Sequence, residues 1–374
     1  MSKKNLVFVT GTRADFGKIE PLAIAANKSF NVSFFVTGMH MMEAYGLTKI
    51  EVHRTQNVRV YEFLNQRYGD NLDSILIKTM SGFSDFIHEN SPDLVIVHGD
   101  RVEALACALV CSMNYIRCAH IEGGEVSGTI DEIFRHCNSK LSYCHFASSE
   151  IAAKRLMALG ETRDSIYVIG SPELDYHSKP SNIDLKDVLE RYQIKSSEFA
   201  ICIFHPVTSE IDSIKKQASD LFSSLASSNK YFVVIKPNND PGSDQINDIL
   251  EGLDRSKFRV LPSIRFSYFS VLMKHSKCII GNSSAGVREA PFIGVSSLDI
   301  GSRQTNRSNA SSVFTAKASE NKKIQSFLKT QWGQKYSNLK EFGDGKATEK
   351  FMKIIKSKEF WNKPFQKTFQ DING

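Results

Sequence analysis

The chain has 374 residues, of which 41% are hydrophobic and 24% are charged, and this composition is typical of a soluble globular protein. That length is large for a single hydrophobic core, so we expect two domains of ordinary size. The 47 Lys and Arg residues exceed the 41 Asp and Glu residues by 6, a positive surplus that suits an anionic substrate. Because no motif of aromatic and basic residues accompanies this charge, we do not expect the chain to bind nucleic acid.

The sequence also argues against a membrane location. Its longest apolar run, around residues 104–113, is far shorter than the roughly 20 residues of a spanning helix. The basic start, Met1-Ser2-Lys3-Lys4, leads into a short strand-like run and not into an apolar signal core with a cleavage site. We therefore expect a cytoplasmic protein without a membrane partner.

Seven cysteines are present, an odd count with no C-x-x-C pair. Several lie in apolar stretches, where a free cysteine behaves as a small core residue. We interpret them as buried reduced thiols and expect neither zinc nor disulfides. They are Cys107, Cys111, Cys118, Cys137, Cys144, Cys202 and Cys278.

Short β-branched runs alternate with amphipathic stretches of helical length, a pattern that predicts parallel α/β units. Predicted strands of the first half lie at residues 5–10, 32–37, 93–98, 117–121 and 165–169, and those of the second half at 199–204, 231–235, 258–261, 278–281 and 295–300. Predicted helices between them include residues 73–89, 101–113 and 148–159. The expected fold class is therefore α/β, with two doubly wound domains whose parallel sheets face a central cleft.

A segment rich in proline and small polar residues separates the two series of elements. Such a composition is typical of a linker, so we place the boundary within residues 170–195, between domains over residues 1–175 and 185–345. In doubly wound sheets, ligands bind outside the carboxyl ends of the strands. The residues that follow the strands are therefore the candidates for a functional site.

The first predicted strand runs into Gly11-Thr12-Arg13-Ala14-Asp15-Phe16-Gly17-Lys18. Two glycines and a threonine ahead of a helix can leave backbone N–H groups free for an anion, and Arg13 adds a bidentate positive charge. The G-x-G-x-x-G spacing of a dinucleotide site is absent. An ordinary strand-to-helix turn explains the segment equally well.

Acidic residues follow two later strands of the first half. Asp100 comes directly after the strand at 93–98 and is either a helix N-cap or a site carboxylate. Glu122 follows the next strand, and Asp131 lies a short distance further on, together with other acids and two histidines. This crowding favours a general acid/base cluster, although Asp131 and Arg135 could form a simple ion pair on one helix face.

In the second half, His205 ends a strand and precedes a proline, which keeps the backbone extended and can direct the ring into a cleft. A structural histidine is the alternative, as an ordinary turn is for Asn238. The strongest local signal is residues 280–290, where small hydroxyl and glycine residues separate a strand from a helix start. This order predicts a diphosphate cradle. Glu289, predicted one turn into the helix, could accept both ribose hydroxyls, and Arg303 adds a guanidinium group.

Together, these segments resemble the hydrolysing UDP-N-acetylglucosamine 2-epimerases of bacterial sialic acid biosynthesis over nearly the whole chain. The matching motifs lie at residues 11–15, 36–40, 98–101, 120–125, 204–206, 281–284, 286–289 and 301–304. Non-hydrolysing relatives have Arg-Pro-Glu where this chain has Arg13-Ala14-Asp15, and Glu-Ala-Gly-Leu-Arg where it has Glu122-Gly123-Gly124-Glu125. The chain follows the hydrolysing pattern at both places.

The resemblance implies a GT-B-like fold of two Rossmann-type domains, with a last helix near residues 347–360, in a segment over 346–374, packed back on the first domain. It implies catalytic roles for Asp100, Glu122 and Asp131, with His205 as a further candidate. The substrate-binding residues that we infer are Arg13, Gly17, Arg101, His205, Asn238, Ser283, Ser284, Gly286, Glu289 and Arg303. We expect no metal, no cofactor, a homodimer or homotetramer, and none of the kinase domain of the bifunctional animal enzymes.

The implied reaction converts UDP-N-acetylglucosamine and water to N-acetylmannosamine and UDP, the first step of sialic acid biosynthesis. It proceeds by anti elimination of UDP to 2-acetamidoglucal, followed by syn addition of water. The sequence leaves four alternatives open: the same chemistry on a related sugar such as UDP-N,N'-diacetylbacillosamine, a non-hydrolysing 2-epimerase, a GT-B glycosyltransferase, and a UDP-sugar sensor without activity.

Overall fold

The computed structural model describes residues 3–127, 130–238 and 240–371. Its strands are β1 (Asn5–Thr10), β2 (Asn31–Val36), β3 (Arg59–Glu62), β4 (Leu94–His98), β5 (Cys118–Ile121), β6 (Cys144–Ala147), β7 (Ile166–Val168), β8 (Phe199–Ile203), β9 (Tyr231–Ile235), β10 (Phe258–Leu261), β11 (Ile279–Gly281), β12 (Ser297–Ile300) and β13 (Val313–Ala316). Its α-helices are α1 (Arg13–Asn27), α2 (Lys49–His53), α3 (Leu72–Asn90), α4 (Val102–Met113), α5 (Asp131–Leu141), α6 (Glu150–Ala158), α7 (Leu174–Ser178), α8 (Leu185–Arg191), α9 (Ile214–Ala226), α10 (Ser243–Glu251), α11 (Phe266–His275), α12 (Ser284–Val287), α13 (Glu289–Ile293), α14 (Asn321–Thr330), α15 (Ala347–Ile355) and α16 (Lys358–Asn362). Short 3-10 helices lie at Gly38–Met41, Glu43–Tyr45, Arg163–Ser165 and Thr208–Ser213.

The chain divides into two compact units, unit 1 over residues 1–125, 131–178 and 342–374, and unit 2 over residues 126–130 and 179–341. Unit 1 contains a sheet in the order β3-β2-β1-β4-β5-β6-β7, and unit 2 one in the order β10-β9-β8-β11-β12-β13. All the strand pairs of these two sheets are parallel. The prediction of an α/β protein with two Rossmann-type domains is thereby confirmed.

Each sheet has one point at which the strand order reverses. In unit 1 it lies between β1 and β4, and in unit 2 between β8 and β11. At such a point the loops that follow the two neighbouring strands diverge to opposite sides of the sheet and open a crevice at the carboxyl ends. The residues that follow β1, β4, β8 and β11 are therefore the candidates for ligand-binding residues.

The core of unit 1 joins residues that are far apart in the sequence. Helix α1 buries Phe16, Ile19 and Leu22 at helical spacing against the sheet. Helix α15 contributes Phe351 to the same core, and its ring centroid lies 4.8 Å from that of Phe146 in β6. Helix α15 thus belongs to the hydrophobic core of unit 1.

Gly281, at the end of β11, allows two strands of unit 2 to approach closely. Its φ is +127°, and a Cβ atom built there would lie 1.9 Å from the carbonyl oxygen of Ile203 in β8. We expect Gly281→Ala to lower the free energy of unfolding by at least about 2 kcal/mol, because both the clash and the dihedral angle oppose a side chain. Urea denaturation measures this loss.

The control for that experiment is Gly252→Ala. Gly252 has a φ of −80°, and its added Cβ would lie no closer than 3.7 Å to another atom. We expect this variant to unfold at the midpoint of the unchanged protein or above it. Equal midpoints for the two glycine variants would contradict the close approach of β8 and β11.

Several elements differ from the sequence-based prediction. Strands β3, β6 and β13 are present although they were not predicted, and the segment predicted as a linker contains α7 and α8. Of the seven cysteines, Cys137 on α5 is exposed, so the interpretation as a buried thiol is wrong for this residue, whereas the other six are buried. Within the described ranges, no helix is both long and apolar enough to cross a membrane.

Candidate active site

The turn after β1 is closed by the carboxylate of Asp15. This carboxylate accepts hydrogen bonds from the backbone N–H groups of Gly11 (3.0 Å) and Thr12 (3.1 Å), and the Thr12 hydroxyl accepts one from the Asp15 N–H. The pair is a capping box that starts α1. The expectation that these N–H groups are free for an anion is therefore wrong, because Asp15 already satisfies them.

The other residues predicted in this region lie around the same turn. Arg13 begins α1 with its guanidinium Nη2 3.6 Å from Glu51, and Gly17 is buried one turn further along α1. Arg101 has its Nε 3.6 Å from the buried carboxylate of Glu103. Both arginines are partly exposed, with a negative partner that holds them in place.

Glu122, directly after β5, is the most constrained of the predicted carboxylates. Its φ is +67°, a left-handed conformation that is uncommon for a residue with a side chain. The residue is 4% exposed, and its two carboxylate oxygens lie 3.1 and 3.3 Å from the Nζ of Lys18. His98 of β4 also approaches it, with its Nε2 3.5 Å from a Glu122 oxygen. A buried carboxylate beside a lysine is thus held at the carboxyl end of the sheet.

A second carboxylate, that of Glu173, shares this lysine. Its Oε1 lies 3.8 Å from the Nζ of Lys18, and its side chain is buried. Sequence reasoning identified neither Lys18 nor Glu173 as site residues. Lys18 stands 104 residues before Glu122, and only the order of the strands brings them together.

Asp100 lies at the reversal point of unit 1, after β4, and its Oδ2 accepts a hydrogen bond from the guanidinium Nη2 of Arg135. Arg135 is buried on α5, and its Nη1 also donates to the carbonyl oxygen of Glu125 (3.3 Å). Asp131 is the first residue of that helix. Arg135 was predicted as a possible ion-pair partner of Asp131, and the structure shows that it holds Asp100.

In unit 2, Asn282 connects the residues after β8, β11 and β12. Its side-chain oxygen accepts the His205 N–H (2.7 Å), and its side-chain nitrogen donates to the His205 carbonyl (2.8 Å). The Asn282 carbonyl oxygen accepts hydrogen bonds from Arg303 (3.1 Å) and Gln304 (2.8 Å). The structure thus brings His205 and Arg303 to one buried residue, Asn282, which was not among the predicted site residues.

His205 is buried, and its Nδ1 accepts a hydrogen bond from the backbone N–H of Asn238 (3.2 Å). Burial, helped by the nearby charge of Arg303, lowers the pKa of His205 to about 3. The ring is therefore neutral near pH 7. With Nδ1 as acceptor, the proton of the neutral ring is on Nε2, so the side chain can donate one hydrogen bond but carries no charge.

The predicted diphosphate cradle follows β11. Ser283 is the N-cap of α12, with its hydroxyl accepting from the Ala285 N–H (3.4 Å), and both Ser283 and Ser284 are partly exposed. Gly286 lies within α12, and its carbonyl accepts a hydrogen bond from a serine of β12. The cradle contains two accessible hydroxyls ahead of a short helix.

The sequence predicted that Glu289 lies one turn into α12, but in the structure it begins a second helix, α13. The structure ends α12 at Val287 and starts α13 at Glu289, with Arg288 between them at φ −116° and ψ −56°. Pro291 explains the break, because proline has no N–H to continue the hydrogen bonds of α12. Glu289 is 4% exposed.

Asp299 of β12 is a buried acid close to the predicted cradle. It pairs in register with Gly281, and burial raises its pKa from 3.8 to about 7, although Arg303 and Arg307 act in the opposite direction. The unfolded chain releases this proton at a lower pH than the folded protein does. The contribution of Asp299 to the stability of the fold is therefore expected to fall as the pH rises from about 4 to about 7.

Asp299→Asn removes this ionisation, so the variant is expected to lose less thermal stability than the unchanged protein between pH 5 and pH 8. Scanning calorimetry at the two pH values measures the difference. The exposed Asp248 on α10 provides the control, since Asp248→Asn should leave the pH dependence unchanged. An equal slope for Asp299→Asn and the unchanged protein would contradict the raised pKa.

No group of three or more His, Cys, Asp or Glu side chains is placed to hold a metal ion in the described part of the chain. Arginine and lysine supply positive charge beside the predicted site residues of each unit: Arg13, Lys18, Arg101 and Arg135 in unit 1, and Arg303 in unit 2.

Comparison with known proteins gives one consistent result. A family model described as UDP-N-acetylglucosamine 2-epimerase matches residues 22–356. The UDP-N-acetylglucosamine 2-epimerase of Neisseria meningitidis serogroup B is 40% identical over 99% of this chain and 100% of its own length. The UDP-N,N'-diacetylbacillosamine 2-epimerase (hydrolyzing) of Legionella pneumophila is 31% identical over 95% of this chain and 96% of its own. The polysialic acid biosynthesis protein P7 of Escherichia coli is 32% identical over 85% of this chain and 84% of its own length.

Solved structures agree with the fold. A Neisseria meningitidis UDP-GlcNAc 2-epimerase bound to UDP-GlcNAc has a TM-score of 0.74 at 21% identity and covers 94% of this chain and 99% of that chain. The S. aureus MnaA–UDP structure has a TM-score of 0.76 at 21% identity and covers 98% of this chain and 100% of that chain. These likenesses show a GT-B-like fold with two α/β domains.

Proposed function

Because the chain belongs to the UDP-N-acetylglucosamine 2-epimerase family, we propose that it hydrolyses UDP-N-acetylglucosamine to N-acetylmannosamine and UDP with inversion at carbon 2. The observation that carries the proposal is the pair of carboxylates in unit 1, each held by a positive group. Arg135 holds Asp100, and Lys18 holds Glu122. Carboxylates held in this way are suited to moving protons at a sugar carbon.

In the elimination step, a carboxylate removes the proton from carbon 2. The electron pair forms the double bond between carbons 1 and 2, and the bond from carbon 1 to the UDP oxygen breaks. In the addition step, the oxygen of water bonds to carbon 1 on the face that UDP left, and a carboxylate takes a proton from this water. A proton is delivered to carbon 2 on that same face, opposite to the face from which the first proton was removed, so carbon 2 is inverted. Asp100, Glu122 and Asp131 supply the base at carbon 2 and the acid and base that add water.

Unit 2 stabilises the leaving UDP. The Ser283 and Ser284 hydroxyls and the Arg303 guanidinium neutralise charge that develops on the diphosphate as the bond breaks. His205 is a hydrogen-bond donor rather than an acid in this step, since burial keeps its ring neutral. Glu289 is proposed to accept the ribose hydroxyls, with Asn238 and Gly286 supplying backbone contacts.

The hydrolytic outcome is supported by two observations. Relatives at 31% and 30% identity, from Legionella pneumophila and Campylobacter jejuni, carry the word hydrolyzing in their names. The motifs Arg13-Ala14-Asp15 and Glu122-Gly123-Gly124-Glu125 follow the pattern of hydrolysing enzymes. Those same two relatives act on diacetylbacillosamine nucleotides by name, so UDP-N,N'-diacetylbacillosamine is the second candidate substrate.

We also propose that the enzyme is cytoplasmic, assembles as a homodimer or homotetramer, and turns over without metal or nicotinamide. The support is the family resemblance and the Arg303 guanidinium group, which can neutralise the diphosphate. Light scattering on the purified protein measures the assembly. Turnover that disappears in EDTA and returns with Mg²⁺ would contradict the metal-free mechanism.

The test of the proposed function is incubation with UDP-N-acetylglucosamine alone and with UDP-N,N'-diacetylbacillosamine alone, followed by separation of nucleotides and sugars. We expect UDP and free N-acetylmannosamine from the first. Accumulation of UDP-N-acetylmannosamine would identify a non-hydrolysing epimerase. A lack of turnover until an acceptor is added would identify a glycosyltransferase. Faster turnover of UDP-N,N'-diacetylbacillosamine would identify that compound as the preferred substrate.

A further inference from the structure

The tail of the chain, defined here as residues 363–371, packs on unit 1 through specific contacts. The Phe365 ring centroid lies 3.9 Å from the Arg117 guanidinium carbon, and the Tyr143 hydroxyl donates to the Lys363 carbonyl (3.0 Å). The backbone N–H of Gln370 donates to the Gly160 carbonyl (3.0 Å). The reaction proposed above gives this tail no role.

Within the tail, Lys367 reaches the C-terminal end of α5. Its Nζ lies 2.8 Å from each of three carbonyl oxygens, those of Ser139, Lys140 and Ser142. The last carbonyls of a helix have no partner inside the helix, and the negative end of the helix dipole favours a cation there. Lys367 therefore caps α5 from a distant part of the sequence.

A buried carboxylate fixes this cap. Glu161 is 1% exposed, and its oxygens lie 2.5 Å from the Nζ of Lys367, 2.8 Å from that of Lys140 and 2.8 Å from the Nε2 of His145. Removing the charge of Lys367 would leave the buried Glu161 with fewer positive partners. The contact therefore restrains the lysine more strongly than an exposed ion pair would.

The capped end of α5 connects directly to the backbone before Asp100. The Ser139 hydroxyl bonds the Nδ1 of His120 (3.0 Å), and the Nε2 of His120 bonds the Gly99 carbonyl (2.7 Å). Asn138, the neighbour of Ser139, donates to the same carbonyl (3.1 Å). Two side chains of the last turns of α5 thus fix the residue that precedes Asp100.

A third contact comes from the middle of the helix, where Arg135 donates to the Asp100 carboxylate. A displacement of α5 would therefore move both the backbone and the side chain of this carboxylate. Gly99 has a φ of +68°. Glycine can adopt this conformation and several others, so the contacts of its carbonyl oxygen help to hold the backbone in this one.

We propose that Lys367 is a positioning residue for Asp100, acting through α5. The inference rests on the proposed function, since Asp100 is assigned there to the reaction. Lys367 is not among the residues assigned to the substrate. It fixes the helix end that holds Gly99, and that helix in turn orients the carboxylate.

The experiment compares Lys367→Met with the unchanged full-length protein by steady-state kinetics and by amide hydrogen exchange. We expect kcat to fall about 10-fold to 100-fold, as for a small misplacement of a catalytic group, with the KM for UDP-N-acetylglucosamine and the Kd for UDP within two-fold. Exchange is expected to accelerate in α5 and at residues 99–101. Lys367→Arg should restore both, because a guanidinium can also donate to the three carbonyls.

The matched control is Lys363→Met, a lysine of the same tail whose Nζ donates to the Asp164 carbonyl and lies over the Tyr167 ring. This variant should change neither kcat nor exchange in α5. An unchanged kcat in folded Lys367→Met, or unchanged exchange in α5, would overturn the proposal. If the unchanged protein releases no UDP, the proposed function fails instead, and the exchange data still decide whether Lys367 fixes α5.

Discussion

Asp100→Asn is expected to lower kcat by about 10³-fold or more while leaving the affinity for UDP within two-fold. A general acid or base contributes about 10²-fold to 10⁴-fold, and asparagine keeps the shape of the side chain without its ability to take a proton. Asp100 lies after β4 at the reversal point of its sheet, where Arg135 holds its carboxylate. UDP affinity should persist because the residues assigned to the diphosphate lie in unit 2.

The assay for this variant is UDP release under saturating substrate, with UDP binding followed by calorimetry. Asp85→Asn is the control, because Asp85 is exposed on α3 of the same unit and its replacement should leave kcat unchanged. Retention of more than a tenth of kcat by Asp100→Asn would remove Asp100 from the proposed mechanism. Loss of UDP binding together with turnover would instead indicate a role in substrate binding.

Glu122→Gln is expected to lower kcat by about 10²-fold to 10⁴-fold. Its carboxylate is buried beside Lys18, and its backbone is held at a φ of +67°, a strained conformation of the kind that clusters at active sites. Glutamine keeps the length of the side chain but cannot move the proton. Lys18 also loses the nearer of its two carboxylate partners. The dependence of kcat on pH should therefore change in shape, in addition to the fall in the maximum value of kcat.

The pH profile separates a chemical role of Glu122 from a structural one, which would lower activity equally at all pH values. Glu150→Gln supplies the control, since Glu150 is exposed at the start of α6. A Glu122→Gln variant with an unchanged profile and less than a ten-fold loss of kcat would remove Glu122 from the chemistry.

Much of the fold could be predicted because buried parallel strands are continuous apolar runs. The strands that were not predicted lack this signal: β3 alternates between exposed and partly buried positions, and β6 contains a histidine and a cysteine in only four residues. The position of β3 at the edge of its sheet could not be predicted from the order of the strands along the chain.

Prediction of the site was uneven for a related reason. Strand ends can be found by inspection, so Asp100, Glu122 and His205 could be proposed from the sequence. Their partners could not, because Lys18, Arg135 and Asn282 approach them only through the order of the strands and the packing of α5. One error was avoidable: Thr12 and Asp15 have the spacing of a capping box, which already indicated that the N–H groups after β1 are occupied.

The most direct test of the central claim is the reaction of UDP-N-acetylglucosamine in D₂O followed by proton NMR. We expect the first free sugar to be N-acetylmannosamine with deuterium at carbon 2, formed at the same rate as UDP. Deuterium at carbon 2 would record the proton transfer, and the free sugar would record the hydrolysis. Release of N-acetylglucosamine with its carbon 2 proton retained, or of UDP-N-acetylmannosamine without free sugar, would contradict hydrolysis with inversion at carbon 2.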